Sequence, residues 1–212
     1  MDEKLYPRKV LSDEEFKIAE FWGRETSKQS VAILRKYGEP TATEIMKDLS
    51  EHKKGVKAEF AVDLHLHGSI EKAVANSACF CRGNWFEPLI PDNIIWGLYD
   101  YDSGEQIGDC IGVEVKSTSR KEYLEDLKLP VKPKQFSNYQ VAKANGEFDH
   151  FIYVLTVTVR DHLNAVDLVG FAREEEIEKR IADCEIHYLD LHPINCLTYK
   201  HYKTSKTLRD YT

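Results

Sequence analysis

The chain of 212 residues is 42% apolar and 11% aromatic, which predicts an ordered globular protein with one sizeable core. Its formal net charge of −7 argues against a protein that coats nucleic acid non-specifically, because such a protein would be basic throughout, although a local basic face can exist on an acidic whole. No apolar run in the sequence approaches the ~20 residues that a membrane-spanning helix needs.

The first residues and the cysteines predict a cytoplasmic location. Residues 1–4 are mostly charged and lack the apolar segment of a secretory signal peptide. The five cysteines are an odd number, which argues against a secreted disulfide scaffold. Cys79 and Cys81 have CxC spacing with no second pair after them, so we do not expect a zinc or iron–sulfur site.

Two helices are predicted near the start of the chain. The first begins at residues 12–15 and continues to Tyr37, and Gly38 suits its end. Thr41 precedes Glu44 by three residues, which is the spacing of a capping box and predicts the start of the second helix. The helix–glycine–helix order resembles a helix-turn-helix fragment, but without a basic recognition face we favour two packed helices of a subdomain.

The remaining sequence mixes helix and strand patterns. Helices are predicted at 55–67 (ended by Gly68), 69–78, 135–143 and 173–182. Strands are predicted at 93–99, 107–118, 151–159 and 165–171, with short strands within 185–191 and 197–202. A turn is predicted at 102–104, and a charged loop with one helical turn at 119–133. The segment 151–159 is apolar at nearly every position, so we expect it to be central and covered on both faces. The class is therefore α/β or α+β, with residues 1–52 as a helical N-terminal extension and 53–212 as the core.

Glu114 and Lys116 are the first candidate site residues. They lie in a β-forming run, and alternation along a strand puts both side chains on one face while Val115 points into the core. A carboxylate can bind Mg²⁺ through oxygen, and a lysine beside it can orient a water and offset phosphate charge. The simpler alternative is a surface strand with alternating polar residues.

Such a metal site needs a second carboxylate near Glu114, and two strand registers supply one. In the first, residues 111–112 form a two-residue hairpin turn and Asp109 lies directly opposite Glu114. In the second, strand 93–100 pairs with 106–113 through a longer hairpin and brings Asp92 opposite Glu114. The sequence pattern does not separate them, and we prefer Asp109 because the tight turn would fix its register.

These segments together resemble the PD-(D/E)XK nuclease superfamily, which includes restriction enzymes, junction resolvases and phage exonucleases. The resemblance covers about residues 55–180. It comprises G-V-K-A-E-F-A at 55–61, D-C-I-G-V-E-V-K-S-T at 109–118, the 151–159 strand, and V-G-F-A-R-E-E at 169–175. It implies a restriction-endonuclease-like fold, a central mixed sheet flanked by helices, and a deoxyribonuclease dependent on Mg²⁺ or Mn²⁺, with a restriction-type endonuclease expected first.

The resemblance also implies roles for individual residues. Asp109 and Glu114 would be metal ligands, with the Val115 backbone carbonyl as a further ligand, and Lys116 would be the catalytic lysine. Glu59 on the preceding helix would be the extra carboxylate that some members use. Because a cluster of carboxylates repels itself, divalent cations should stabilise the protein. A long insertion between Glu59 and Asp109 departs from the pattern and keeps Asp92 as the rival ligand.

A second motif of the same superfamily is weaker. Gln135 and Tyr139 have the Q-x-x-x-Y spacing seen in exonuclease-like branches. A helix that packs Tyr139 onto the sheet explains this spacing equally well.

Two other functions compete with the nuclease. Asp63, His65 and His67 form D-x-H-x-H, which resembles the metal motif of amidohydrolases and related phosphoesterases. The chain is short for their barrel, and a helix at 55–67 would point the two histidines apart. The other competitor is a catalytically inactive DNA-binding module of the same fold, against which the complete Asp, Glu and Lys set argues.

DNA is the expected partner under the nuclease interpretation. The loop after Lys116 is the preferred candidate for phosphate contact, although a solvated charged loop explains it about as well. Its basic residues are Arg120, Lys121, Lys128, Lys132 and Lys134. A site-specific endonuclease would be a homodimer, because a two-fold axis matches the symmetry of duplex DNA.

Overall fold

The structure is a computed structural model that describes residues 6–71, 73, 91–100, 105–118, 127–158 and 163–199. It contains a six-stranded mixed sheet with helices on both faces and a separate two-stranded sheet. The predicted α/β class is confirmed at this level. The predicted turn at 102–104, most of the helix at 69–78, Cys79, Cys81, Arg120 and Lys121 lie outside the described residues.

Helix α1 (Asp13–Leu34) and helix α2 (Ala42–His67) are both opened by capping boxes. The Glu15 backbone N–H donates to the Ser12 hydroxyl at 3.2 Å, and the Ser12 backbone N–H donates to the Glu15 carboxylate at 2.7 Å. The predicted Thr41–Glu44 capping box is also present. Gly68 ends α2 with a φ of 70°, the left-handed conformation that glycine adopts without strain.

The two helices pack closely against each other. A Cβ added to Gly23 would lie 2.7 Å from the Lys53 Cα, so only glycine allows this approach. The Ser27 and Ser30 hydroxyls each donate to the Asp48 carboxylate at 2.7 Å. The N-terminal region therefore contains two long packed helices, the arrangement that we favoured over a helix-turn-helix fragment.

Strand order in the large sheet is β1-β6-β5-β3-β2-β8. The strands are β1 (Arg8–Val10), β2 (Asn93–Asp100), β3 (Glu105–Thr118), β5 (His150–Thr158), β6 (Ala165–Arg173) and β8 (Leu197–Tyr199). Strands β3 and β5 are parallel, and every other pairing is antiparallel. Helix α3 (Pro133–Ala144) lies in the connection between the parallel pair. Strand β5 is central and buried from residue 151 onward, as predicted.

The predicted charged loop at 119–133 contains a strand within its described part. Strand β4 (Lys128–Pro130) pairs with β7 (Glu185–His187) to form the small sheet. Helix α4 (Glu174–Lys179) follows β6 and is shorter than the predicted helix at 173–182. Two single turns of 3₁₀ helix, Tyr188–Asp190 and Ile194–Cys196, lead into β8.

Alternation along the strands separates two apolar layers. Helix α2 packs on the face that carries Val113 and Val115 of β3. Helix α3 packs on the opposite face, against Phe151 and Tyr153 of β5. Even-numbered residues of β3, including Glu114, therefore point toward α3.

The N-terminal segment is joined to the sheet at its far edge. Strand β1 pairs with β6, and the Arg8 guanidinium donates to the Asp167 carboxylate at 2.6 and 3.0 Å. The predicted boundary between residues 52 and 53 falls inside α2, and the division into two domains stays a prediction. In the described part of the chain, no helix combines the length and the apolar character that crossing a membrane requires.

Candidate functional site

The register of β2 and β3 brings Asp92, and not Asp109, to Glu114. Strand β3 runs without a break through the predicted hairpin turn at 111–112, and Asn93 pairs with Val113. Extending this antiparallel register by one residue puts Asp92 opposite Glu114, as in the second predicted register. Asp109 is exposed, is five residues from Glu114, and by alternation points to the other face of β3. The preferred register was wrong, because a longer hairpin forms in place of the tight turn.

Asp92 is fixed at the start of β2 by the backbone of β3. Its Oδ2 accepts a hydrogen bond from the Val115 backbone N–H at 2.7 Å. Burial, followed by the negative charges of Glu114 and Glu59, raises the pKa of the Asp92 carboxyl well above its ordinary value. The Lys116 ammonium and the Val115 hydrogen bond offset part of this rise in pKa.

Glu114 is the centre of the hydrogen-bond network, and its side chain is only 5% exposed. Its Oε1 accepts from the Lys116 ammonium and from Gln135 Nε2, the latter at 2.8 Å. Its Oε2 accepts from the Tyr139 hydroxyl. Three donors from two elements therefore compensate the burial of this carboxylate.

Lys116 lies on the same face of β3 as Glu114, as predicted. Its ammonium pairs with Glu114 and donates to Gln135 Oε1 at 2.9 Å. The same ammonium lies 5.8 Å from the centre of the Tyr153 ring, within the range of a cation–π contact. The lysine side chain is 14% exposed, so its amine is close to solvent but held by the protein.

Gln135 and Tyr139 bring α3 into the site. They lie four residues apart on one face of the helix, and Gln135 Nε2 also donates to the Tyr139 hydroxyl at 3.0 Å. Burial, together with Glu114 and Asp92, raises the pKa of Tyr139, so the hydroxyl keeps its proton. The Q-x-x-x-Y spacing thus corresponds to direct contacts with Glu114, in addition to the packing of Tyr139 on the sheet.

Glu59 approaches the cluster from α2 on the other side of the sheet. It is half-buried, and its charge contributes to the raised pKa of Asp92. The structure thus brings Glu114, Glu59 and Lys116 within electrostatic range of Asp92. Val115, between Glu114 and Lys116, presents its backbone at the same point on β3.

Oxygen donors gather here, but they are not arranged as a finished cation cage. Among the described residues, no group of three or more His, Cys, Asp or Glu side chains has the geometry to hold a metal ion. The D-x-H-x-H residues lie within α2, where Asp63 and His67 are buried and the burial of His65 lowers its pKa. Because they are on a helix, His65 and His67 point about 200° apart instead of sharing a strand face.

Some basic residues of the predicted phosphate-contact loop are described. Lys132 and Lys134 are exposed at the start of α3, three and one positions before Gln135. Lys128 is paired with Glu185 across the small sheet. The exposed lysines therefore lie on the α3 side of the site, next to the network around Glu114.

Any functional conclusion about this chain depends on the geometry of the site described above. No protein-family model and no curated protein matches the sequence, and no solved structure matches the fold.

Proposed function

We propose that this chain is a metal-dependent deoxyribonuclease with a restriction-endonuclease-like fold, and that Asp92, Glu114 and Lys116 form its catalytic site. The observation that carries the proposal is the meeting of these three side chains across the β2–β3 hairpin. Asp92 takes the role that the resemblance assigned to Asp109. Glu59 remains the extra carboxylate, reaching the site from the preceding helix.

The order of elements supports the proposed fold. A helix that carries Glu59 precedes an antiparallel hairpin with Asp92 and Glu114, and a helical crossover then leads to a strand parallel to β3. The same order underlies the sequence resemblance to PD-(D/E)XK nucleases. The contacts that Gln135 and Tyr139 make with Glu114 add a second motif of that superfamily to the same site.

The donor atoms are of the chemical kind that a hard divalent cation binds, namely oxygens. Asp92, Glu114, Glu59 and the Val115 carbonyl would supply oxygen ligands, which Mg²⁺ and Mn²⁺ prefer. The raised pKa of Asp92 indicates that its negative charge lacks full compensation, which a cation would provide. When bound, the cation would supply a lowered pKa for a coordinated water and would stabilise charge on the phosphate.

The chain's own residues have distinct tasks in this proposal. Lys116 presents an ammonium, fixed by Glu114 and Gln135, that orients the attacking water and offsets phosphate charge. Tyr139 and Gln135 hold the Glu114 carboxylate in one orientation. Lys132 and Lys134, which are exposed beside the site, would contact the DNA backbone without reading its sequence.

Incubation with supercoiled plasmid and with linear duplex DNA, in Mg²⁺ or in EDTA, tests the proposal. Discrete bands in Mg²⁺ would identify a site-specific endonuclease, for which we expect a two-fold homodimer in solution. Progressive shortening of linear DNA would identify an exonuclease. Intact DNA in both Mg²⁺ and Mn²⁺ would refute the nuclease, and retained DNA binding would then favour an inactive DNA-binding module.

A further inference from the structure

Tyr153 lies beside Glu114 on the neighbouring strand. Glu114 pairs with Tyr153 in the parallel register of β3 and β5, and residues paired in this way share a face of the sheet. Tyr153 is fully buried, its ring meets the Tyr139 ring edge-on at 6.1 Å, and the Lys116 ammonium lies over its face. The ring is therefore fixed by contacts with two residues of the proposed site.

The hydroxyl of Tyr153 is buried and has no hydrogen-bond partner among the residues that the structure describes. The Glu114 oxygens already accept from three other donors, which are Lys116, Gln135 and Tyr139. Leaving a buried hydroxyl without a partner costs free energy, and each such group in a folded protein requires an explanation.

A tyrosine hydroxyl carries its proton at neutral pH and can donate it to a hydrogen bond. Because Tyr153 pairs with Glu114 across β3 and β5 and its hydroxyl has no described partner, this donor is available to a small polar ligand at the site.

We propose that Tyr153 is a positioning residue of the site, whose hydroxyl donates a hydrogen bond to a water molecule that a divalent cation carries at Asp92 and Glu114. This inference rests on the proposed function, because it requires a cation at those carboxylates. A water fits better than a phosphate oxygen, because Tyr153 is fully buried.

Thermal unfolding of Tyr153→Phe, in EDTA and in MgCl₂, tests the inference, with Tyr6→Phe as the matched control. Tyr6 also has a buried hydroxyl without a partner among the described residues. It comes just before β1, the edge strand that is separated from β3 by β6 and β5. Both substitutions remove one unpartnered hydroxyl and keep the ring. Both should therefore raise the melting temperature in EDTA by about 2–6 °C.

Only Tyr153→Phe should change the response to magnesium. We expect a smaller rise in melting temperature on adding MgCl₂, and a several-fold higher Mg²⁺ concentration for half-maximal DNA cleavage, than in the wild type and Tyr6→Phe. A Tyr153→Phe variant that is not stabilised in EDTA would show that the hydroxyl already has a partner. An unchanged magnesium response would equally overturn the inference.

The wild-type protein separates this inference from the proposed function. If the wild type neither cleaves DNA nor gains stability from MgCl₂, the proposed function fails and the inference fails with it. If the wild type responds and Tyr153→Phe responds identically, only the inference fails.

Discussion

Asp92 is tied to Val115 by a 2.7 Å hydrogen bond from the Val115 backbone N–H to Asp92 Oδ2. Val115 separates Glu114 from Lys116 on β3, so this bond holds a third charged group against the pair. This arrangement is electrostatically unfavourable, because the Glu114 and Glu59 charges oppose ionisation of Asp92. A site that repels itself without a ligand is expected where binding a cation restores the balance.

Substitution Asp92→Asn should stabilise the metal-free protein and abolish cleavage. Asparagine retains an oxygen that can accept from Val115 but removes the repelled charge. The wild type should gain melting temperature on adding MgCl₂, whereas Asp92→Asn should gain little. Asp109→Asn is the matched control, because Asp109 is exposed on the other face of β3, and it should leave cleavage and the gain in melting temperature on adding MgCl₂ unchanged.

The effect of Asp92→Asn on stability should depend on pH. The folded protein raises the pKa of Asp92 above that of the unfolded chain, so the folded state binds the proton more tightly. The stability that this tighter proton binding contributes is fully present below about pH 4 and is lost as the pH rises through the folded-state pKa of Asp92. The advantage of Asp92→Asn should therefore grow with rising pH, as measured by urea unfolding in EDTA. An advantage that is constant with pH would contradict the raised pKa.

Substitution Lys116→Ala should reduce DNA cleavage by about 10²–10⁴-fold, the range for losing a positioned catalytic group. Binding to DNA should persist, because the exposed lysines near α3 remain. Lys179→Ala makes the same change in net charge at an exposed position on α4 and should leave cleavage unchanged. Initial rates measure cleavage, and an electrophoretic assay measures DNA binding. Undiminished cleavage by Lys116→Ala would exclude the Lys116 ammonium from catalysis.

Substitution Tyr139→Phe should destabilise the protein by about 1.5–3 kcal/mol, the range for a hydrogen bond to a charged group. The hydroxyl donates to the buried Glu114 carboxylate and accepts from Gln135, whereas the ring contacts would be kept. Urea unfolding measures the loss. Tyr139→Phe should lower the free energy of unfolding, whereas Tyr153→Phe should raise it in EDTA. Changes in the same direction would mean that the two hydroxyls are in similar environments.

The packing of α1 on α2 predicts opposite effects for two glycine substitutions. Gly23→Ala should cost about 1–3 kcal/mol, because its Cβ would meet the Lys53 Cα and backbone cannot move aside cheaply. Gly55→Ala should stabilise by about 0.5–1 kcal/mol, because its nearest contact is an ordinary 3.6 Å to Glu59 and alanine favours the helix interior. Thermal unfolding of both variants checks the difference, and a stable Gly23→Ala would disprove the close approach.

Features set by neighbouring residues were predicted correctly from sequence. The Thr41–Glu44 capping box and the glycine end of α2 depend on fewer than five consecutive residues, and both are present. The buried strand at 151–159 was recognisable because covering both faces requires apolar residues throughout. Glu114 and Lys116 were assigned to one face by the period of a strand alone.

Features set by pairing between distant segments were not determined by sequence. From the sequence, either Asp109 or Asp92 would lie opposite Glu114, each in a sterically sound hairpin, and only the observed pairing of Asn93 with Val113 decides for Asp92. The partnership of Glu114 with Tyr153 depends on a parallel register across α3, for which no local signal exists. The contact of Tyr139 with Glu114 had a signal in its spacing from Gln135, but helix packing explained that spacing equally well.

The bond between Arg8 and Asp167 joins residues 159 positions apart. A nascent chain emerging from the ribosome has its first strand and both long helices synthesised well before β6 exists. Strand β1 therefore stays unpaired with β6 until the intervening segment, 159 positions from Arg8 to Asp167, has been made. Completion of the sheet should accordingly be a late and comparatively slow event, since closing so long a loop is entropically costly.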